Sequence, residues 1–315
     1  MNLRRLGSSP LEIPPLVLGG NVFGWTADKA TSFAILDRFA ERGGGMIDTA
    51  DVYSAWVPGH KGGESESVIG EWLKASGKRD KVLIATKVGM LPGEGGEKLA
   101  PARIAAAVEA SLTRLGTDRI DLYFAHQDDE SVPQDAVAEA FAKLVAAGKV
   151  RVLGASNFHA ARLKSAIETA QKAGLPHYQV LQPEYNLVSR HKFEGELEDL
   201  CITHNVGVVP YYGLASGFLT GKYRSEADLG KSVRGGRMTE LLKGRGAAVL
   251  AAMDQVAAET GATLAQIALA WLAAQDGVTA PIASATSVAQ LDELLDSREL
   301  VLTTVQVDKL TDAGA

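Results

Sequence analysis

The sequence is poor in cysteine and in long apolar runs, and both shortages exclude classes of protein. Cys201 is the only cysteine among 315 residues, so an intramolecular disulfide and a zinc site built on several thiolates are excluded. No run approaches the roughly 18 to 20 apolar residues of a membrane helix, and prolines interrupt the segment after Arg5, where a signal peptide would need an apolar stretch. We therefore expect a cytoplasmic protein that does not associate with a membrane.

An excess of positive charge is also missing. The 32 Lys and Arg residues are outnumbered by 38 Asp and Glu residues, for a net charge of -6, and no basic block is long enough to follow a phosphate backbone. Nucleic acid is therefore not an expected partner. With 46% hydrophobic and 22% charged residues, the composition is that of an ordinary globular protein, which excludes disorder.

Several widespread catalytic motifs are absent as well. The chain has no G-x-G-x-x-G after a predicted strand, no Walker A loop, no H-E-x-x-H and no G-x-S-x-G. Rossmann, P-loop, zincin and α/β-hydrolase interpretations therefore lose their usual support. The glycines Gly43 to Gly45 precede a strand, which indicates the turn out of the first helix rather than a phosphate-binding loop.

Short apolar and β-branched runs alternate with helical segments along the whole chain. The segment from Pro101 to Gly116 has a clear helical period, with an early proline and a closing glycine. Strands that alternate with helices pair in parallel. Eight runs are predicted to be strands, namely Pro15–Gly20, Gly45–Thr49, Val82–Val88, Ile120–His126, Val150–Ser156, Gln179–Pro183, Val206–Tyr212 and Val278–Ser284.

Eight such repeats, with no linker between them, favour one closed (β/α)8 TIM barrel over a doubly wound sheet, as a single domain over residues 1–315. Two segments depart from the repeat. Arg4 to Pro14 is predicted to form an N-terminal β-hairpin across the barrel floor, and Gly213 to Gly246 a long loop after the seventh strand. Loops longer than about 15 residues are usually functional, and this one emerges where barrels build their active sites.

Four ionisable side chains are expected to meet at the barrel mouth, because they follow the carboxyl ends of strands two, three and four. They are Asp48, Tyr53, Lys87 and His126. Lys87 could stabilise a phenolate and so lower the pKa of Tyr53 toward neutrality, while Asp48 keeps the lysine charged. His126 could bond the same oxygen that Tyr53 protonates and so orient a carbonyl group.

Each of these residues also has a purely structural interpretation. Asp48 and Lys87 could form only a salt bridge inside the barrel, His126 could be a hydrogen-bonded core histidine, and Tyr53 a loop aromatic. Their joint occurrence at consecutive strand ends favours chemistry. The other histidines lack metal-ligand spacing, so no metal site is predicted.

The segments that contain these residues resemble the aldo-keto reductase family. The resemblance runs from Leu3 to about Leu294 and is carried by Met46–Tyr53 (MIDTADVY), Gly63–Gly70 (GESESVIG), Thr86–Val88 (TKV) and Ile120–His126 (IDLYFAH). It implies a single barrel that binds a nicotinamide dinucleotide without a Rossmann domain and transfers hydride to a small-molecule carbonyl. Tyr53 would then be the general acid, with Lys87 and Asp48 lowering its pKa and His126 orienting the substrate.

The resemblance also implies contacts to the cofactor. Asp48 is counted among them beside Ser156, Asn157 and Gln182, which match the positions that hold the carboxamide. Tyr211 matches the aromatic residue that stacks on the nicotinamide ring. The segment over the pyrophosphate is matched by Leu214, Ser216, Gly217 and Lys222.

The adenosine end departs from the family pattern. Ser284, Thr286, Gln290 and Glu293 align with the stretch that grips the adenine and the ribose 2′-phosphate. Many members have Lys or Arg near Ser284 or Thr286, where a dianionic phosphate favours a cation, but this chain has hydroxyl groups there. Leu294 stands where many members have Asn.

NADP(H) is the cofactor that the resemblance implies, and NAD(H) stays open. The cations that could approach a 2′-phosphate are Lys222, Arg224 and an arginine between Arg234 and Arg245. The substrate is not named by the sequence, and its pocket walls are predicted to be Trp25, Tyr53, Trp56 and Phe124.

The leading hypothesis is a reversible carbonyl reductase, which could also work in the oxidative direction as an alcohol or aldose dehydrogenase. A second is a redox-sensing regulatory subunit that binds nicotinamide, like the family's potassium-channel-associated members. A third is a barrel lyase or isomerase in which Lys87 forms a Schiff base. The oligomeric state is not predicted.

Overall fold

In the part of the chain that the structure describes, the sheets are formed by two short strands and eight parallel strands. The structure is a computed structural model that describes residues 2–231 and 238–314. The N-terminal pair is β1 (Arg4–Arg5) and β2 (Glu12–Ile13), which run antiparallel. The eight parallel strands are β3 (Val17–Gly19), β4 (Gly45–Asp48), β5 (Val82–Val88), β6 (Ile120–Ala125), β7 (Val150–Ser156), β8 (Tyr178–Gln182), β9 (Gly207–Val208) and β10 (Ile282–Ala283).

The eight parallel strands curl into a barrel. Their order is β10-β3-β4-β5-β6-β7-β8-β9, so each strand lies beside its neighbour in the chain. The side between β9 and β10 is bridged by hydrogen bonds from Thr279 N to Val208 O at 2.8 Å and from Ile282 N to Pro210 O at 2.9 Å. The predicted (β/α)8 architecture and its N-terminal hairpin are confirmed.

Helices alternate with the strands around the barrel. The predicted helix from Pro101 is observed, and Gly116 ends it with a φ of 61° in the left-handed region. The helices are α1 (Lys29–Glu41), α2 (Glu64–Ser76), α3 (Pro101–Leu115), α4 (Gln134–Ala146), α5 (Ala160–Lys172), α6 (Glu196–Thr203), α7 (Thr239–Lys243), α8 (Arg245–Thr260), α9 (Leu264–Ala273), α10 (Val288–Asp296) and α11 (Thr304–Ala313).

The last two barrel strands are shorter than the sequence predicted. In these two apolar runs, regular strand pairing covers only the two residues of β9 and the two residues of β10, although both runs extend further. Pro210 and Pro281 lie in these runs, and proline has no N–H to donate to a ladder. Single bonds continue the pairing beyond β9, such as that from Tyr211 N to Pro183 O at 2.9 Å.

The hairpin closes the floor of the barrel with apolar side chains. Leu6, Leu11 and Ile13 are buried against Val17 and Met46, which lie at the amino ends of their strands. Gly7 makes this approach possible: it has a φ of +55°, and a Cβ placed on it would lie 2.2 Å from Gly207 N. The hairpin does not cover the opposite, carboxyl end of the barrel, where a functional site can form.

Alternation along the strands divides the side chains into two cores. On β5, Ala85 and Lys87 face the barrel interior, whereas Ile84 and Val88 pack outward against the helices. Phe124 is fully buried in the inner cluster. The expectation that Phe124 lines the substrate pocket is therefore wrong, because its side chain fills the barrel below the mouth.

The predicted loop after β9 is present and carries short helical turns at Ala215–Thr220 and Glu226–Lys231, followed by α7. Arg234 and Arg237, two of the arginines predicted to approach the phosphate, lie outside the described residues. In the described ranges no single helix is long and apolar enough to cross a membrane, and α8 and α9, which meet at 96°, reach that length only when joined. No group of three His, Cys, Asp or Glu residues among those described could hold a metal ion.

Candidate active site

The strand period places three of the four predicted side chains inside the barrel. Asp48 follows Met46 by two residues on β4, Lys87 follows Ala85 on β5, and His126 comes two residues after Phe124 of β6. Met46, Ala85 and Phe124 all belong to the inner core, so the polar residue two positions later lies one layer closer to the carboxyl end. All three polar side chains are buried.

Lys87 is the centre of this group. Its ammonium donates to Asp48 Oδ2 at 2.7 Å, to the carbonyl oxygen of Thr49 at 2.7 Å and to the hydroxyl of Tyr53 at 3.2 Å. Three donors and three acceptors satisfy the ammonium, which a fully buried charge requires. The structure therefore brings Asp48, Tyr53 and Lys87 together as the sequence predicted.

His126 is a neighbour of the Tyr53 ring. The two ring centroids are 6.1 Å apart at an interplanar angle of 73°. Burial, with the nearby Lys87 charge as a second cause, lowers the pKa of His126 well below its ordinary value. The imidazole is therefore neutral at neutral pH, and its Nδ1 is buried with no hydrogen-bond partner among the described residues.

The expected pKa shift of Tyr53 has the wrong sign. Burial raises the pKa of the Tyr53 phenol well above its ordinary value, and the Asp48 carboxylate and Tyr212 add to that rise. Lys87 does not reverse it, since burial lowers the pKa of this lysine and Asp48 only partly opposes the effect. The phenol is therefore protonated at neutral pH and is not a phenolate.

The residues expected near a nicotinamide carboxamide form one hydrogen-bonded chain across the mouth. Gln182 Nε2 donates to Asp48 Oδ1 at 2.9 Å, and Ser156 Oγ donates to the Gln182 carbonyl oxygen at 2.8 Å. Asn157 Nδ2 donates to the His126 carbonyl oxygen at 2.8 Å. The amide groups on β8 and after β7 are thus hydrogen-bonded directly to Asp48 and to His126.

Tyr211 completes this chain from the end of the seventh barrel strand. Its hydroxyl donates to Asn157 Oδ1 at 2.8 Å, and its ring lies 5.0 Å from that of Tyr212. This bond fixes the position of the phenol end of the side chain. A flat ring held in this way can stack on a planar ligand.

The segment expected over a pyrophosphate is a tight turn with left-handed backbone. Ala215, Ser216 and Gly217 have consecutive φ angles of 46°, 56° and 93°, and Leu214 precedes them. The N–H of Ala215 donates to the Tyr212 carbonyl oxygen at 2.7 Å, and that of Gly217 to the Leu214 carbonyl oxygen at 2.8 Å. A Cβ at position 217 would lie 2.9 Å from Lys222 Nζ, so the ammonium sits directly over this glycine.

Of the residues expected at the adenosine end, Ser284, Thr286 and Gln290 surround the start of α10. Thr286 donates to Gln290 Oε1 through its N–H at 2.9 Å and its hydroxyl at 3.0 Å. Ser284 Oγ donates to Asn21 Oδ1 at 2.6 Å. Asn21 was missed in the sequence, although a polar residue two positions after the end of β3 was the signal for it. Glu293 accepts from Gln266 Nε2 through its backbone carbonyl.

Two of the cations proposed for a 2′-phosphate have other partners. Arg224 makes a two-bonded ion pair with Asp254, at 2.8 Å for each contact. Arg245 Nη1 donates to the Gly314 carbonyl oxygen at 3.3 Å. The local support for a cation at Thr286 is therefore no stronger than the sequence suggested.

A buried ionic network that the sequence did not predict lies behind the mouth. Glu66 accepts from Arg114 Nε and from Thr86 Oγ1, both at 2.6 Å. Asp51 Oδ2 is 3.5 Å from Arg103 Nη2, and its Oδ1 is buried with no hydrogen-bond partner among the described residues. Burial and the Glu66 charge raise the pKa of Asp51 to about 7, against the opposing effect of the two arginines.

The pKa of Asp51 predicts a pH-dependent stability. The folded carboxyl keeps its proton up to about pH 7, whereas an unfolded aspartate loses it near pH 4. Asp51→Asn does not titrate at this position. Relative to that variant, the free energy of unfolding of the wild type therefore falls as the pH rises from about 4 to about 7 and stays constant above pH 7. We expect the difference in the free energy of unfolding to change by roughly 2 to 3 kcal/mol between pH 5 and pH 8.

Urea unfolding of both proteins at these two pH values measures that change. The surface variant Asp118→Asn, at a side chain that is 89% exposed, is the control. A difference between wild type and Asp51→Asn that is the same at both pH values would contradict the prediction.

Fold and site together define a (β/α)8 barrel with a protonated phenol, a buried ion pair and amide groups at its mouth. The chain belongs to the aldo/keto reductase family, whose model matches residues 15–315. Members of this family use nicotinamide cofactors on small-molecule carbonyl substrates, so membership supports an oxidoreductase of that kind.

Three relatives illustrate the range within the family. The chain is 34% identical to the uncharacterized oxidoreductase YrpG of Bacillus subtilis, over 96% of this chain and 92% of that protein. It is 30% identical to the L-glyceraldehyde 3-phosphate reductase of Escherichia coli, over 93% of this chain and 86% of that protein. It is also 30% identical to a probable voltage-gated potassium channel subunit beta of Arabidopsis thaliana, over 98% of this chain and 95% of that protein.

Proposed function

We propose that this protein is an NAD(P)H-dependent reductase of aldehydes or ketones, reversible in principle, in which Tyr53 donates the proton. The observation that carries the proposal is the contact of Lys87 with both Asp48 and Tyr53 at the barrel mouth. A bound nicotinamide would supply the hydride. The protein then has to hold the carbonyl and deliver a proton to its oxygen.

The four side chains divide this task between them. Tyr53 Oη gives its proton to the carbonyl oxygen, and the Lys87 ammonium, 3.2 Å away, stabilises the phenolate that is left. Asp48 holds Lys87 charged and in place. His126, neutral because its pKa is lowered by burial, can donate a hydrogen bond to the same oxygen without competing as an acid.

The residues at the mouth fit a dinucleotide. Ser156, Asn157 and Gln182 would hold the carboxamide, and Tyr211 would stack on the ring. Lys222, with Leu214, Ser216 and Gly217 beside it, would hold the pyrophosphate. Ser284, Thr286, Gln290 and Glu293 would contact the adenosine end. A Schiff-base role for Lys87 is less well supported, since three acceptors favour its protonated form.

Binding and turnover measured together test the proposal. The purified protein would be titrated with NADPH and NADH by tryptophan fluorescence, and nicotinamide oxidation would then be followed with a panel of aldehydes and ketones. We expect binding below millimolar concentration and turnover of at least one carbonyl. Binding without turnover would favour a redox-sensing subunit, as in the channel relative, and no binding would refute both.

For the cofactor we propose a preference for NADP(H), in which the 2′-phosphate is bound only weakly. Thr286→Arg should then shift selectivity further toward NADPH, because a charge-assisted hydrogen bond contributes roughly 1.5 to 3 kcal/mol. Dissociation constants for both nucleotides measure the shift, and Thr286→Met controls for side-chain size. An unchanged ratio in Thr286→Arg would mean that the phosphate is held elsewhere. We also propose a cytoplasmic location, in line with the single cysteine of the chain.

A further inference from the structure

Four aromatic rings form a continuous row from the protein surface to the proton donor. In sequence along the row, they are Trp25, Trp56, Tyr53 and His126. The centroid distances are 5.6, 5.9 and 6.1 Å, and every pair meets edge to face. Trp56 is 50% exposed, so half of a large apolar side chain faces solvent beside the reacting phenol. We call these four residues the aromatic row.

The loop that carries Trp56 is held by its own hydrogen bonds. Glu64, the first residue of α2, accepts from three backbone N–H groups, of Lys61 at 2.7 Å, Gly62 at 3.0 Å and Ser54 at 3.3 Å. Ser54 Oγ is 2.8 Å from His60 Nδ1, which joins the two arms of the loop. These bonds fix the backbone of the loop, and the edge-to-face contacts with Trp25 and Tyr53 hold the ring of Trp56 in place.

We propose that Trp56 sets the carbonyl selectivity of this site by providing a fixed ring on which planar, apolar substrate bodies stack. The inference rests on the reductase activity proposed above and adds the class of substrate to it. A planar body attached to a carbonyl between Tyr53 and His126 reaches the exposed half of Trp56, because the rings adjoin. Covering that surface gains both apolar burial and ring stacking.

A small polyhydroxylated or phosphorylated aldehyde gains nothing from this ring. Its hydroxyl or phosphate groups would have to leave water beside an apolar surface, which offers no hydrogen bond in return. The site therefore favours aromatic aldehydes over glyceraldehyde and its phosphate. This separates the protein from the L-glyceraldehyde 3-phosphate reductase that it resembles at 30% identity.

The experiment compares 4-nitrobenzaldehyde with glyceraldehyde 3-phosphate as substrates of the full chain. Trp56→Ala should lower kcat/KM for the aromatic aldehyde by roughly three- to tenfold, mainly through KM, and leave the triose phosphate within about twofold. Trp56→Phe, which keeps a ring, should retain most of the preference. Val301→Ala, which shortens a side chain that is 86% exposed, is the control and should leave kcat/KM unchanged for both substrates.

A second pair of variants tests the loop. Glu64→Gln weakens the acceptor of the three N–H groups and should reduce the aromatic preference in the same direction as Trp56→Ala, by a smaller factor. Glu71→Gln, at an exposed position on the same helix, should leave the preference unchanged.

Two outcomes would overturn the inference. One is a wild type whose kcat/KM is higher for the triose phosphate than for the aromatic aldehyde. The other is a Trp56→Ala variant in which kcat/KM falls by the same factor for both substrates. In either case the protein still reduces carbonyls, so the proposed function would survive. A wild type that binds the nucleotide and reduces neither substrate nor any of the carbonyl panel would instead refute the proposed function itself.

Discussion

Tyr53→Phe should abolish carbonyl reduction while leaving nucleotide binding almost unchanged. The variant keeps the ring, so the contacts with Trp56 and His126 remain, and it removes only the hydroxyl that Lys87 bonds. A positioned general acid contributes roughly 10²- to 10⁴-fold to a rate, and we expect a fall in kcat of that size. Steady-state kinetics and a fluorescence titration with NADPH measure the two quantities separately.

The comparison with binding makes this prediction specific. A fold defect would weaken both turnover and nucleotide affinity, whereas loss of the proton donor affects turnover alone. If Tyr53→Phe kept more than about a tenth of the wild-type kcat, another group would have to be the donor, and the assignment of Tyr53 would be wrong.

Lys87→Met should be damaging in a second way, because it leaves a buried carboxylate without its partner. Lys87 Nζ and Asp48 Oδ2 are 2.7 Å apart, and both side chains are almost completely buried. Breaking a buried pair by removing one partner typically costs about 3 to 5 kcal/mol. We expect a loss of that order in the free energy of unfolding, measured by urea denaturation, together with loss of turnover.

A double variant separates the two effects of Lys87. Asp48→Asn combined with Lys87→Met removes both charges, and neutral replacements of buried pairs are often as stable as the original. We therefore expect the double variant to recover most of the lost stability and none of the activity. A double variant that is as unstable as Lys87→Met would show that the cost arises from packing or from the lost bond to the Thr49 carbonyl.

Much of the site could be predicted because strand alternation is a local property. Asp48 and Lys87 each lie two residues after a small or apolar residue of the same strand, so their side chains point into the barrel whatever the loops do. The same alternation should have excluded Phe124 from the pocket wall, since it lies two residues before His126 on the same side. Position along the strand, and not aromatic character, decides whether a side chain reaches the mouth.

The sequence by itself determined the barrel, its hairpin and the polar residues at its strand ends, because periodicity and short motifs depend only on neighbours in the chain. Only the tertiary structure decided the pKa of Tyr53, since burial of the phenol outweighs the lysine beside it. It also decided that Trp25 and Trp56 touch, from loops 31 positions apart. Burial and contacts between loops are sums over the whole fold, and no local pattern contains them.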